Sequence, residues 1–310
     1  MTESVFDVQQ CGAVGDGQTL NTEAIQKAVD ACAEAGGGTV LVPAGTFVSG
    51  PIFLRSNIEF RLSAGAVLRG SRDMAHYPRL EFETHGYRVD HWHASLLTGV
   101  GLQNVSVTGG GVIDGEGDVW WKARDEKKLK HQRPVLIYLA DCERVLIDGV
   151  KLMNSPCWTV LPLLCRNLTV HNVTIKNPWK PYCNCDGINP VSCRNVRIAN
   201  CHLDTGDDGI TLKSVPEWFV ACNGTTDYEK PAIPCENVLI ENCTVQHAHG
   251  GVTLGAEVIG GIRNVTISNC VFEGTRAGIR IYRYPWPGGY VENVRVNNVV
   301  MRRVEWGCHV

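Results

Sequence analysis

A short motif recurs along this chain: a polar residue, usually Asn, followed by an apolar-polar-apolar triplet. It stands at Asn104-Val105-Ser106-Val107, Arg144-Val145-Leu146-Ile147, Asn167-Leu168-Thr169-Val170 and Asn195-Val196-Arg197-Ile198. It returns at Asn237-Val238-Leu239-Ile240, Asn264-Val265-Thr266-Ile267 and Asn293-Val294-Arg295-Val296. A second alternating triplet follows each copy after one or two polar residues. Alternation over so few residues describes short half-buried strands. A unit repeated every ~25 residues, with two larger insertions, is one turn of a solenoid: too thin to bury its own apolar face, and stable only when stacked on its neighbours.

The units are rich in Val, Ile and Thr, break at Gly and Asn, and hold no helical stretch, so a parallel β-helix is expected rather than a leucine-rich or helical solenoid. Cys201, Cys243 and Cys270 each fall six residues after a motif Asn. That spacing puts them at equivalent inward positions on successive turns, where thiols fill small core sites. One helix is expected early: Asn21 as N-cap, an apolar stripe of Ala24, Ile25, Ala28, Val29 and Cys32, and Gly36-Gly37-Gly38 as its end. It would cover the open N-terminal end of the solenoid, a cap of about residues 1–50 on a single domain spanning 1–310. At the other end the sequence stops at Val310 soon after a repeat, an ending that reads as cut short.

With 44% hydrophobic and 20% charged residues, the 310-residue chain can bury a full core, and a net charge of −3 offers no positive field for a nucleic acid or an anionic membrane. The first residues show no secretory signal and no apolar run is long enough to span a bilayer. Taken literally this means a cytoplasmic protein, or a secreted or periplasmic one if a signal peptide was removed. Fourteen cysteines scattered along the repeats read mainly as free, buried thiols rather than a disulfide framework.

Two segments depart from the repeat. Asn184-Cys185-Asp186-Gly187 precedes one motif strand and Gly206-Asp207-Asp208-Gly209 follows it about one coil later, so Asp186, Asp207 and Asp208 are expected on one face. Adjacent acids repel, and crowding raises the proton affinity of one member, the condition under which a carboxyl pair divides acid and base roles. Asp-Gly turns or calcium binding are the plain alternatives. His247-Ala248-His249 lies at the matching place on the next turn and Arg280-Ile281-Tyr282-Arg283 on the one after. The His pair lacks a third ligand of sensible spacing, so no metal is assigned. The arginines are either solvated or aligned to fork onto a substrate carboxylate. Trp120, Trp121, Trp158, Trp179, Tyr182, Tyr282, Tyr284 and Trp286 offer faces for sugar rings or for the core.

In this order the residues resemble glycoside hydrolase family 28, the polygalacturonase family. Gly15-Asp16-Gly17, Gly111-Val112-Ile113-Asp114-Gly115-Glu116-Gly117 with Trp120-Trp121, and Asn154-Ser155-Pro156-Cys157-Trp158-Thr159 resemble its landmarks. The resemblance implies a right-handed parallel β-helix, no cofactor, and inverting hydrolysis of α-linked, galacturonate-containing pectic poly- or oligosaccharides. It implies Asp207 as general acid, Asp186 and Asp208 as holders of the attacking water, and His249 as partner of the acid. It also implies a substrate-binding set of Arg280, Lys213, Tyr282, Arg283 and Asn184. Tyr282 stands where the family has a lysine; either Arg283 takes over that contact or the sugar differs, as in rhamnogalacturonan or xylogalacturonan. A polysaccharide lyase and a non-catalytic glycan-binding solenoid remain the other two classes. The segments around Trp120–His131 and Pro216–Pro234 are expected to wall off one end of the groove and favour exo-action.

Overall fold

The structure, a computed structural model, describes residues 4–179, 184–215, 231–284 and 288–310. The motif triplets form strands in the register that their spacing predicts. Val105, Val145, Leu168, Val196, Val238, Val265 and Val294 lie one above another in a ten-stranded parallel sheet. The second triplets build another ten-stranded parallel sheet, in which Ile113, Leu152, Ile175, Leu203, Val245, Phe272 and Met301 are stacked. Inward columns of both sheets merge into one continuous core with Ile25, Ala28, Val29 and Cys32 of the helix Thr22–Glu34. The chain is a parallel β-helix, wound with the right-handed crossover that parallel strands take.

Why the turn residue is Asn follows from its backbone. At Asn104, Asn167, Asn195, Asn237, Asn264 and Asn293, φ lies between 52° and 58°, left-handed territory that Asn tolerates best after Gly. Where one motif Asn lies above another the side chains form a ladder, Nδ2 donating to the Oδ1 below, at 3.0 Å for Asn195 to Asn167 and 3.1 Å for Asn237 to Asn195. Cys201, Cys243 and Cys270 are buried in one column as predicted, and Cys142, Cys165, Cys193 and Cys235 form a second. Every described cysteine is a free thiol.

The helix starts and ends where expected, but Asn21 makes no side-chain cap bond. Its Oδ1 accepts from the Val14 amide at 2.6 Å and its Nδ2 donates to the Thr19 carbonyl at 2.7 Å, so it ties down the preceding loop. The helix stops at a left-handed Gly36, with the Gly37 amide closing on the Cys32 carbonyl. Sheet pairing already runs through Gly38–Val42 and Gly45–Ser49, inside the region expected to be cap.

Among the described residues most turns also have a third strand that the two-triplet repeat does not reveal. Ile52–Phe53, Leu97–Val100, Ile137–Ala140 and Val160–Leu163 form one stack, and Ile210–Leu212, Gly250–Leu254, Ala277–Ile281 and Trp306–His309 another. Single bridges at Ile188 and Val191 join them. In the first of these stacks, the upper one, Ile137–Ala140 and Val160–Leu163 show no alternation because both their faces are buried. An antiparallel hairpin, Arg79–Thr84 with Tyr87–His93, lays Leu80, Tyr87, Val89 and Trp92 against Tyr138, Ala140, Leu161 and Leu163. At the hairpin tip His85 and Gly86 both have positive φ, 48° and 78°, the two-residue turn whose twist matches the strands. Among the described residues no helix is long and apolar enough to cross a membrane.

Candidate active site

The site lies where the chain passes from the second sheet into the third. Asp207 and Asp208 occupy the connection between His202–Asp204 and Ile210–Leu212, and His249 the same connection one turn later. Arg280 lies within Ala277–Ile281, paired with Thr253 of the strand before it. Stacking brings the predicted acids together. The Asn184 amide, one turn back, donates to Asp207 Oδ2 at 2.9 Å. His249 Nδ1 is 2.9 Å from Asp207 Oδ1, and Arg280 Nη1 is 3.7 Å from Asp208 Oδ1. Gly250 makes room for the cluster, since a Cβ there would sit 3.0 Å from Asp208 Oδ1 and 2.2 Å from Thr253 Oγ1.

The three carboxyls differ in proton affinity. Burial, then the charges of Asp207 and Asp208, push Asp186 well above the ordinary carboxylate range. Burial and Asp207 likewise lift Asp208, to about 6, against the pull of Arg280 and Lys213. Burial also opposes ionisation of Asp207, but the His249 hydrogen bond and charge, with the Asn184 and Asp208 amides, outweigh it and hold Asp207 below the ordinary range. The Asp207 bond raises His249 in turn. The cluster thus holds its first proton on Asp186 or Asp208, while Asp207 and His249 form an ion pair. Asp186 Oδ2 accepts from Asn189 Nδ2 at 2.8 Å. Asp186 Oδ1 is buried without a hydrogen-bond partner among the described residues, and so is Asp208 Oδ1 apart from its ion pair with Arg280. Orphaned acceptors cost stability, a cost that a structural cluster would avoid.

The other expected residues divide. Lys213 is buried, with Nζ 2.5 Å from Glu257 Oε2, 3.4 Å from the Gly255 carbonyl and 5.4 Å from the centre of the Trp158 ring. Burial favours its neutral form, but Glu257 and Asp186 keep it charged. Tyr282 packs its ring under the Arg280 guanidinium at 4.4 Å, so it sets the direction of that arginine. Arg283 turns away and donates to the Gly288 carbonyl at 2.8 Å, which leaves it out of the cluster. Asn184, at a left-handed φ of 61°, uses its amide on Asp207 and its side-chain oxygen on Arg133 Nη2 at 3.0 Å. His247 and His249 lie in the connection between Thr244–Gln246 and Gly250–Leu254, not in a strand, and His247 Nδ1 is 3.0 Å from Asp204 Oδ1. Trp120 and Trp121 are buried and serve the core. Trp179 instead meets the His249 ring edge-on at 5.4 Å. Tyr182, Trp286 and most of the Pro216–Pro234 segment lie outside the described residues.

Two residues of the site escape sequence reasoning. Arg133 is buried, and its Nη1 donates to the Pro156 carbonyl at 2.9 Å while Nη2 holds Asn184. Glu257 is the buried counter-charge of Lys213, and its carbonyl accepts from the Ser214 amide at 2.8 Å. Neither carries a local pattern; each is defined by a partner dozens of residues away.

The chain is 36% identical over 303 residues to a probable polygalacturonase of Vitis vinifera, a match covering 95% of this chain and 60% of that protein. It is 30% identical to an exo-poly-alpha-D-galacturonosidase of Dickeya chrysanthemi, covering 97% of this chain and 55% of the other. The solved structure of a hyperthermoactive exopolygalacturonase from Thermotoga maritima superposes with a TM-score of 0.86 at 29% identity, over all of this chain and 76% of that one. The chain therefore spans little more than half the length of the two relatives compared by sequence. The family model for glycosyl hydrolases family 28 matches residues 32–310, so the chain belongs to that family.

Proposed function

We propose that the protein is an inverting glycoside hydrolase that removes sugars from one end of α-linked, galacturonate-containing pectic chains. The observation that carries this is the meeting of Asp186, Asp207 and Asp208 on one face, with His249 on Asp207 and Arg280 beside Asp208. Inversion needs an acid to protonate the leaving oxygen and a carboxylate to take a proton from water attacking the opposite face of the sugar. Asp207 is the acid, and Asp186 with Asp208 holds the water through their Oδ1 atoms, which accept no hydrogen bond among the described residues. Arg280 forks onto the carboxylate of the bound uronate.

In the free protein Asp207 is ionised, so the acid must be charged with a proton before it acts. His249 supplies it. When a sugar displaces water from the cluster, a desolvated ion pair is less favourable than a neutral one, and the Nδ1 proton passes to Asp207 Oδ1. From there it goes to the glycosidic oxygen, while the water leaves its hydroxyl on the anomeric carbon and its proton on the base pair. Asp208, titrating at about 6, sets the acid limb of kcat/KM near that pH.

Exo-action is supported by the hairpin, which covers the third sheet on the turns before Asp186, with its apolar cluster running on to Val191 and Val215, so that it stands over one side of the acids. The names of the Dickeya and Thermotoga relatives point the same way. Digestion of polygalacturonate, followed by chromatography and by NMR of the released anomer, tests both parts. Monosaccharide of inverted configuration appearing first is the expected outcome. A ladder of oligomers would sink the exo reading, and retained configuration or an unsaturated product would sink the inverting hydrolase.

A further inference from the structure

We infer that the cavity beyond Arg280 is a second carboxylate-binding position, which takes the uronate next to the bond being cut on the open side of the groove. This rests on the hydrolase reading above. The last turn of the third sheet sets Trp306 level with Ala277 and His309 level with Arg280. Against the Trp306 indole lie the Arg276 guanidinium, 4.8 Å from the ring centre, and the His309 ring, with centroids 4.8 Å apart. These groups, with His249, Ala277 and Arg280, line a cavity of about 300 Å³, a size at which small-ligand clefts begin.

The lining holds two guanidinium groups, two imidazoles and an indole, and no carboxylate. Arginine is charged at any working pH and matches a carboxylate with two parallel N–H bonds. Glu305 lies 3.7 Å from Arg276 Nε, but both side chains are more than half exposed, so the pair is weak in water and exchanges readily for a ligand. His249 and Arg280 belong to this cavity and to the catalytic cluster alike, which places its occupant directly beside the reacting sugar. A neutral sugar would take only ordinary hydrogen bonds from the second guanidinium, not the forked, charge-assisted pair that a carboxylate makes. Arg276 is therefore a specificity-determining residue for an acidic neighbour.

Digalacturonate and its two monomethyl esters, compared on wild type, Arg276→Ala and Arg276→Lys, test the assignment. The expected result is that esterifying one particular carboxylate costs wild type about 10- to 100-fold in kcat/KM, mainly through KM. Arg276→Ala should erase that discrimination to within about twofold while leaving discrimination at the other carboxylate intact, and Arg276→Lys should keep part of it. Calorimetric titration of digalacturonate into Asp207→Asn with and without Arg276→Ala should show the same loss of affinity and needs no turnover. If wild type cleaves no uronide, the hydrolase reading fails and the titration still decides the cavity. Equal loss on all three substrates, no discrimination in wild type, or unchanged affinity would each overturn the proposal.

Discussion

The outer face of the third sheet is built in two ways on one backbone. On the turns before Asp186 it carries Tyr138, Leu161 and Leu163, all buried beneath a hairpin that supplies Leu80, Tyr87, Val89 and Trp92. On the turns after it carries Lys213 and Thr253, still buried but polar, and then Arg280 and His309, which line an open cavity. Since the ladder register is the same throughout, the backbone does not decide where the site is. What decides it is where the cover stops, because a carboxylate cluster needs partial burial to shift its proton affinities and an opening through which a sugar can enter.

The strongest way to break that contrast is Asp207→Asn. If the open half holds the chemistry, kcat on oligogalacturonate should fall by about 10²–10⁴-fold, with an unchanged unfolding curve. A variant that unfolds but keeps its rate per folded molecule would refute the placement. Trp92→Ala attacks the other half. It empties a buried indole site between hairpin and sheet, so a loss of about 3–5 kcal/mol in denaturant melts is expected, whereas Trp306→Ala on the open half should cost less than about 1 kcal/mol. Equal costs would mean that the hairpin is not a packed cover.

Asp208 sharpens the comparison because the open half must keep charges where burial disfavours them. Its carboxyl is raised to about 6, so its contribution to folding is full while the group is neutral, below about pH 3.8, and is lost as pH rises through 6. Asp208→Asn should then raise stability at pH 7 by up to about 3 kcal/mol and change little at pH 3.5, while abolishing turnover. Melting curves at the two pH values check it; a destabilised variant at pH 7 would show that Arg280 and Lys213 stabilise the ionised carboxylate more than burial penalises it.

The same contrast explains what could be read in the sequence. The first two sheets are legible because their outer faces meet water, and alternation at Asn104–Val107 or Asn264–Ile267 records that. Asp186, Asp207, Asp208, His249 and Arg280 are legible because stacking converts a spacing of about one turn into proximity. The upper third sheet is not, since Ile137–Ala140 and Val160–Leu163 are apolar on both faces and their cover comes from elsewhere. The hairpin did leave a signal: Leu80 and Phe82 alternate, His85-Gly86 makes a two-residue turn, and Tyr87 and Val89 alternate after it. Glu257 left none, as it sits in no motif and its partner Lys213, which the resemblance did single out, is 44 residues away.

The smallest effect belongs to the feature that the two halves share. Asn104 donates to Asn57 Oδ1 and accepts from Arg144 Nε on the covered half, and Asn264 donates to Asn237 Oδ1 and accepts from Asn293 on the open half. Each combines a left-handed backbone with two exposed ladder bonds, so replacement by Ala should cost about 1–2 kcal/mol at either place. Replacement by Gly, which keeps the backbone and drops only the bonds, should cost less. Because the ladder runs outside the third sheet, the two Ala variants should agree within about 0.5 kcal/mol. A much larger penalty at Asn104 would mean that the cover stiffens the whole turn beneath it, and the division between the halves would then reach through the solenoid instead of ending at one face.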